Sequence, residues 1–223
     1  MQGLNWSLNG DKRRLNIDSS SRCNLSCPGC GRTYSVTAGT NGSIEDMPME
    51  YFKALVRPEN RINNLTYNFA LSDPIYSGVI LDQIEYLNTL DDRPTINFST
   101  NASGRKPRWW IKFASLLGQR DRVEFAIDGL EDTNHIYRVN AKWDSIMLGA
   151  KTLREHWNPP HGGMMWRYVI FEHNYHQVSE AQKLAKELGF NRFRAIVGDK
   201  RTPAHMILKS KTWEEVEVDL SKV

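Results

Sequence analysis

The chain has 223 residues, 40% of them hydrophobic, with 29 Lys and Arg against 26 Asp and Glu, a formal net charge of +3 and three cysteines. This length and apolar content suit one domain of ordinary to large size with a sizeable core. The near balance of charge excludes a histone-like or strongly basic nucleic-acid sleeve. Mean hydropathy is -0.55, and no run approaches the roughly 20 apolar residues that cross a bilayer, so no membrane association is expected. Met1 to Asn16 carries charges and no apolar core of signal-peptide type, which points to the cytoplasm.

Leu4, Trp6 and Leu8 alternate before Asn9-Gly10, a tight-turn pair, and Arg14 to Asp18 returns as the second arm of a hairpin. A Ser-rich loop leads into Cys23. Pro48 to Leu55 reads as a short helix, Asn64 to Leu71 as an alternating strand, and Val79 to Leu90 as a helix with Ile80, Ile84 and Leu87 on one face. Thr95 to Thr100 is the next strand, Trp110 to Leu117 a helix, Arg122 to Ile127 a strand and Ser145 to His156 a helix. Gly163 to Phe171 is again a strand. Ser179 to Leu188 is a helix closed by Gly189, and Arg192 to Val197 is a further strand. Trp213 to Leu220 reads as an added strand or a surface segment.

Strand and helix thus alternate five or six times after the hairpin, the rhythm of βα units around a parallel sheet. An open sheet and a partial barrel both satisfy it. In either, the site forms at the strand C-terminal ends. Those ends are Ser19 to Cys30, Leu71 to Pro74, Thr100-Asn101, Asp128-Gly129 and Glu172 to Asn174. No composition break or repeat divides the chain, so residues 1–223 read as one domain with its core over 14–198 and a C-terminal extension over 199–223.

Cys23, Cys27 and Cys30 form Cys-x3-Cys-x2-Cys, and the chain holds no fourth cysteine. Three thiolates on one short loop converge naturally on a metal centre. Structural zinc wants a fourth ligand, and no nearby His or Cys offers itself. An iron–sulfur cube on three thiolates leaves one iron open to a non-protein ligand. A zinc-binding or non-catalytic iron–sulfur module is the competing reading. His173 and His176 lack acidic or thiol companions for a second metal. Trp109-Trp110 among Arg105, Lys106, Arg108 and Lys112 is the one place where a local nucleic-acid groove is conceivable.

The run Leu15-Asn-Ile-Asp-Ser-Ser-Ser-Arg-Cys-Asn-Leu-Ser-Cys-Pro-Gly-Cys30 resembles the opening of radical S-adenosylmethionine (radical SAM) enzymes, in particular the peptide-modifying and anaerobic sulfatase-maturing branch. Asn68 to Pro74 occupies the place of that family's Gly-Gly-Glu-Pro segment. Phe98 to Ala102 is similar to its Thr-Asn-Gly element, and Glu124 to Leu130 with His135 and Arg138 to its Ser-Ile-Asp-Gly stretch. The resemblance spans roughly residues 14 to 198. It implies a partial (β/α)6 TIM-type barrel with an N-terminal hairpin, and a [4Fe-4S] cluster on Cys23, Cys27 and Cys30. It further implies that S-adenosyl-L-methionine chelates the open iron, and that its reductive cleavage yields a 5′-deoxyadenosyl radical that abstracts hydrogen from a substrate.

By the same resemblance Asp73 accepts from the cofactor's ammonium, Arg138 pairs with its carboxylate, Ser99 and Asn101 meet its ribose or carboxylate, and Ser72 and Asp128 belong to the same cofactor-binding set. The implied partners are a peptide or protein side chain, or else a nucleotide or small metabolite, and an external flavodoxin- or ferredoxin-like electron donor. The chain departs from the pattern at Leu71-Ser72-Asp73, at Gly29 and at Ala126, and it has no C-terminal cysteines for auxiliary clusters.

Overall fold

The computed structural model describes residues 5–9, 12–37, 45–68, 71–198, 203–207 and 215–221. Strands β1 (Asn5–Asn9), β2 (Lys12–Ile17), β3 (Ile62–Tyr67), β4 (Thr95–Thr100), β5 (Arg122–Ala126), β6 (Gly163–Ile170), β7 (Arg192–Val197) and β8 (Val216–Asp219) form one sheet in sequence order. β2 to β7 are parallel, while β1 and β8 pair antiparallel at the two edges. Six parallel strands that do not close are the expected partial barrel.

Helices α1 (Gly31–Thr37), α2 (Met49–Val56), α3 (Ile80–Leu87), α4 (Pro107–Leu116), α5 (Asn134–Tyr137), α6 (Trp143–His156) and α7 (Val178–Glu187) lie in the crossovers. The five longer ones each bury a stripe at helical spacing, such as Ile80, Ile84 and Leu87 on α3 or Val178, Ala181 and Ala185 on α7. These meet Leu65, Tyr67, Phe98, Phe125, Trp166 and Phe193 from the outer face of the sheet. Each side chain so buried contributes about 1.5–3 kcal/mol. Trp110 is fully buried and stacks on Phe125 at 5.8 Å. Gly149 lets α6 approach it, since a Cβ there would meet the indole at 2.8 Å. Gly189, at φ +77°, ends α7 as its left-handed cap requires.

The inner face is different. Asn16, Asn64, Thr66, Asn97, Ser99, Glu124, Arg167 and Arg194 alternate with the buried residues and are only partly buried. A closed barrel fills its interior with branched apolar side chains. An open one leaves its lumen to polar groups and solvent.

Several boundaries differ from the sequence reading. β3 starts at Ile62, and its register with β2 shifts between Arg13 and Arg14. It ends at Tyr67, well before Leu71. α4 begins at Pro107, whose missing N–H costs nothing in a first turn. α1 and α5, with seven and four residues, carry too little periodicity to be read. The extension supplies β8, while Trp213, the Gly10 turn position, Leu4, Phe69 and Ala70 lie outside the described residues. Among the described residues no helix is long and apolar enough to cross a membrane.

Candidate active site

The loops after the parallel strands enclose a cavity of about 260 Å³ at the C-terminal mouth of the lumen. The loop after β2 brings Cys23, Cys27 and Cys30 to it, and Leu71 to Asp73, Asn101, Arg138, Arg167 and Val169 complete the wall. The cysteine loop is pinned from several sides. Arg22 pairs with Asp46 at 2.5 Å, Met47 N–H donates to Ser19 O at 2.9 Å, and Ser26 N–H donates to Val139 O at 3.2 Å. Asn24 Nδ2 donates to Ser103 O at 3.0 Å.

All three thiols are free. Cys23 Sγ accepts from Leu25 N–H at 3.4 Å and from Asn101 Nδ2 at 3.7 Å. Burial, then the Asp73 carboxylate, pushes the Cys23 thiol up to about 12. Burial likewise raises Cys27, with Arg138 working against it. Such thiols ionise only beside a strong cation, and a coordinated metal deprotonates them outright. Among the described residues no three His, Cys, Asp or Glu side chains are gathered closely enough to hold a single metal ion, while the three thiols line one cavity. The donor set itself suits an iron–sulfur cluster: three soft sulfurs on one loop, with N–H groups directed at one of them.

The expected cofactor residues divide into three groups. Ser72 lines the cavity, and its hydroxyl donates to Asp18 Oδ1 at 3.1 Å. Asp73 also lines it, but its carboxylate works within the protein: Oδ1 accepts from Thr100 Oγ1 at 2.8 Å and Ile75 N–H at 3.2 Å, and Oδ2 from Asn101 N–H at 2.6 Å. It ties the loop after β3 to the end of β4. Burial raises it to about 6 against those hydrogen bonds. Asn101 spends its side chain on the cysteine loop, donating to Asn24 Oδ1 at 3.1 Å and accepting from Ser103 N–H at 2.7 Å.

Asp128 and Arg138 face each other. Arg138 Nε meets Asp128 Oδ2 at 2.6 Å with 7% and 0% of their side chains exposed, and Asp128 Oδ1 accepts from Val169 N–H at 2.7 Å. Burial opposes the Arg138 cation, and Asp128 more than reverses this, raising its pKa. Arg138 lines the cavity while Asp128 stands behind it. Ser99 lies apart from the others: two residues before Asn101 in β4, it lines a second, lower cavity, with its hydroxyl 3.4 Å from Glu124 Oε1.

His173 stacks on Phe171 at 5.4 Å. Trp109 stacks on Phe113 at 5.2 Å, with Arg105 over its ring, so the aromatic pair is spent on internal packing. The sequence reading missed Arg167, Arg32 and Asp18. Arg167 follows from the alternation Met165, Arg167, Val169 on β6, which places it on the lumen wall. Asp18 follows Arg14 and Asn16 on the same face of β2. Its Oδ2 is buried without a partner, and burial raises it to about 6.

No sequence-family model matches the chain, and no curated protein matches it. Solved structures do. Streptococcus suis SuiB bound to S-adenosylmethionine superposes with a TM-score of 0.65 and 16% identity over 86% of this chain and 42% of SuiB. Native anSMEcpe with bound AdoMet gives 0.63 and 16% over 84% and 53%. TYW1 with a lysine-pyruvate adduct bound gives 0.57 and 10% over 89% and 69%. The chain therefore spans less than half of SuiB and about half of anSMEcpe. It has the partial-barrel fold of these radical SAM enzymes.

Proposed function

We propose that this chain is a radical SAM enzyme, a single domain in which Cys23, Cys27 and Cys30 hold a [4Fe-4S] cluster and the upper cavity takes S-adenosyl-L-methionine. The observation that carries the reading is the trio of free thiols in one cavity at the C-terminal mouth of a six-stranded open parallel barrel. When bound, the cluster and cofactor together supply reductive cleavage to a 5′-deoxyadenosyl radical. The chain's own groups bind and orient. Arg138, held rigid by Asp128, is placed to pair with a carboxylate in the cavity. Asn101 and Asn24 fix the cysteine loop, and Val169, Phe171 and Ile196 give an apolar wall that excludes water. Ser72 and Asp73 shape the mouth, and the single lone-pair position that Asp73 leaves is what remains for an ammonium donor.

A peptide or protein side chain is the substrate class we favour. SuiB has been captured with its precursor peptide SuiA, and anSMEcpe with AdoMet and the Cp18Cys peptide. A flavodoxin- or ferredoxin-like donor and a reducing, cytoplasmic setting complete the proposal.

Anaerobic reconstitution tests it. We expect a brown protein with about four iron and four sulfide per chain, and release of 5′-deoxyadenosine on adding S-adenosyl-L-methionine and a strong reductant. Cys27→Ala abolishes the colour. Zinc without iron overturns the reading. A cluster that never cleaves the cofactor leaves a non-catalytic module, the alternative that the commitment of Asp73 to Thr100, Ile75 and Asn101 favours.

A further inference from the structure

At the opposite end of the lumen lies the second cavity, of about 350 Å³, bounded by the first residues of β5, β6 and β7. Nothing in the thiol pocket's chemistry requires it. Arg122, Arg192 and Arg194 line it, and Asn97, Asn191 and Glu217 stand among them. The sheet register brings these strands together at this level: Asn97 is opposite Arg122, Met165 opposite Arg192, and Arg194 opposite Glu217.

Its acids do not balance its cations. Glu124 also lines the cavity, but it is committed to Arg167 at 2.9 Å, on the side of the upper pocket. Glu217 is shared, at 3.5 Å from Arg192 and 3.9 Å from Arg194. Glu215 reaches Arg194 at 3.6 Å but is 64% exposed. Long, exposed pairs of this kind contribute about 0–1 kcal/mol, so an incoming anion displaces them readily. Arg122 has no ion-pair partner among the described residues. Asn191 adds a neutral donor: its Oδ1 accepts from Met164 N–H at 2.9 Å, and its Nδ2 has no hydrogen-bond acceptor among the described residues. Gly163 makes room for that amide, since a Cβ there would collide with Asn191.

We propose that this lower mouth is an anion-binding site that takes an oxyanion group, a carboxylate or a phosphate, on the guanidinium forks of Arg122, Arg192 and Arg194. Planar forks of this geometry suit both groups bidentately. The site lies at the far end of the lumen from the cysteine loop and does not depend on the cluster.

The test uses the full chain without cofactor, at low ionic strength, by titration calorimetry with three probes: inorganic phosphate, uridine 5′-monophosphate and N-acetylglutamate. At least one should bind saturably at one site per chain, and the tighter of the last two identifies the source of the oxyanion. Arg122→Gln/Arg194→Gln should weaken that binding about tenfold or more. Arg57→Gln, at an exposed position after α2, should leave it unchanged. Arg122→Gln alone replaces an exposed side chain and keeps the test valid if the double variant fails to fold; it should weaken binding several-fold. Absence of saturable binding by all three probes overturns the proposal. So does undiminished binding in the variants, which would assign the anion to Arg32 or Arg138 at the upper mouth. Since no cluster is needed, failure here is separate from failure of the enzyme reading.

Discussion

At the upper mouth of the lumen, Asp128 and Arg138 meet at 2.6 Å with 0% and 7% of their side chains exposed. At the lower mouth, Arg192 and Glu217 meet at 3.5 Å with 44% and 50% exposed. The same two ion types therefore do different work at the two ends. A buried pair has given up hydration and survives only because its remaining lone pairs are met, here by Val169 N–H. It fixes a guanidinium over a cavity. An exposed pair has given up little and holds its arginine only until a better anion arrives. The upper mouth is built from loops locked by buried hydrogen bonds, and the lower from strand positions that alternate with the core.

The largest effect should come from breaking the upper pair. Asp128→Ala leaves Arg138 buried without its carboxylate, at a cost of about 3–5 kcal/mol in urea unfolding. Asp128→Ala/Arg138→Leu should recover part of that loss, because both charges then leave together. A single variant that costs under about 1 kcal/mol contradicts the burial argument.

Asp73→Asn comes next. It places an amide N–H2 or a weaker acceptor against Asn101 N–H and Thr100, and should cost about 1–3 kcal/mol. The loss should be accompanied by lower iron uptake on reconstitution, since Asn101 also holds the cysteine loop. Full stability together with full iron content would show that the tie between β3 and β4 is not needed.

The pH dependence is of similar size and reads a buried acid beside the upper mouth. Burial raises Asp18 from 3.8 to about 6, so the folded chain binds that proton more tightly than the unfolded chain does. The stability it contributes is full below about pH 4, declines as pH rises through about 6, and is level above. Asp18→Asn removes this share. The stability of the wild type relative to Asp18→Asn should therefore fall between about pH 4 and pH 6. A constant difference across that range means that Asp18 is not strained by burial.

The two mouths were also unequally legible in the sequence. The cysteines announced the upper one, because Cys-x3-Cys-x2-Cys has few structural uses and the alternation of strands and helices placed it after the first parallel strand. The residues around it were harder. Asp73, Asn101 and Asp128 were read as ligand groups, and in the fold they hold loops or Arg138. Spacing does not reveal whether a polar side chain at a strand end faces a cavity or closes a turn. Ser99 sits a full side-chain repeat deeper than Asn101 and lines the lower cavity. The lumen wall, the lower mouth included, is written in period two, as Arg122 and Glu124, Met165 and Arg167, Arg192 and Arg194. An apolar–polar alternation marks a strand but does not by itself say what its polar half faces. In an open barrel the polar half of that alternation is the lumen.

The smallest stability effect carries the sharpest contrast. Glu217→Gln removes the acid that Arg192 and Arg194 share, at 3.5 and 3.9 Å and half exposed, so unfolding stability should change by no more than about 0.5 kcal/mol. Anion affinity should nevertheless rise several-fold, because Arg192 loses its acid and Arg194 keeps only the more exposed Glu215. At the upper mouth, removing the acid takes the carboxylate from a guanidinium with only 7% of its side chain exposed. At the lower mouth it frees Arg192 and loosens Arg194, two cations that water already reaches. Phosphate titration of Glu217→Gln beside its urea midpoint reads both sides at once. If stability falls with affinity unchanged, the lower pairs are structural after all and the contrast between the two ends disappears.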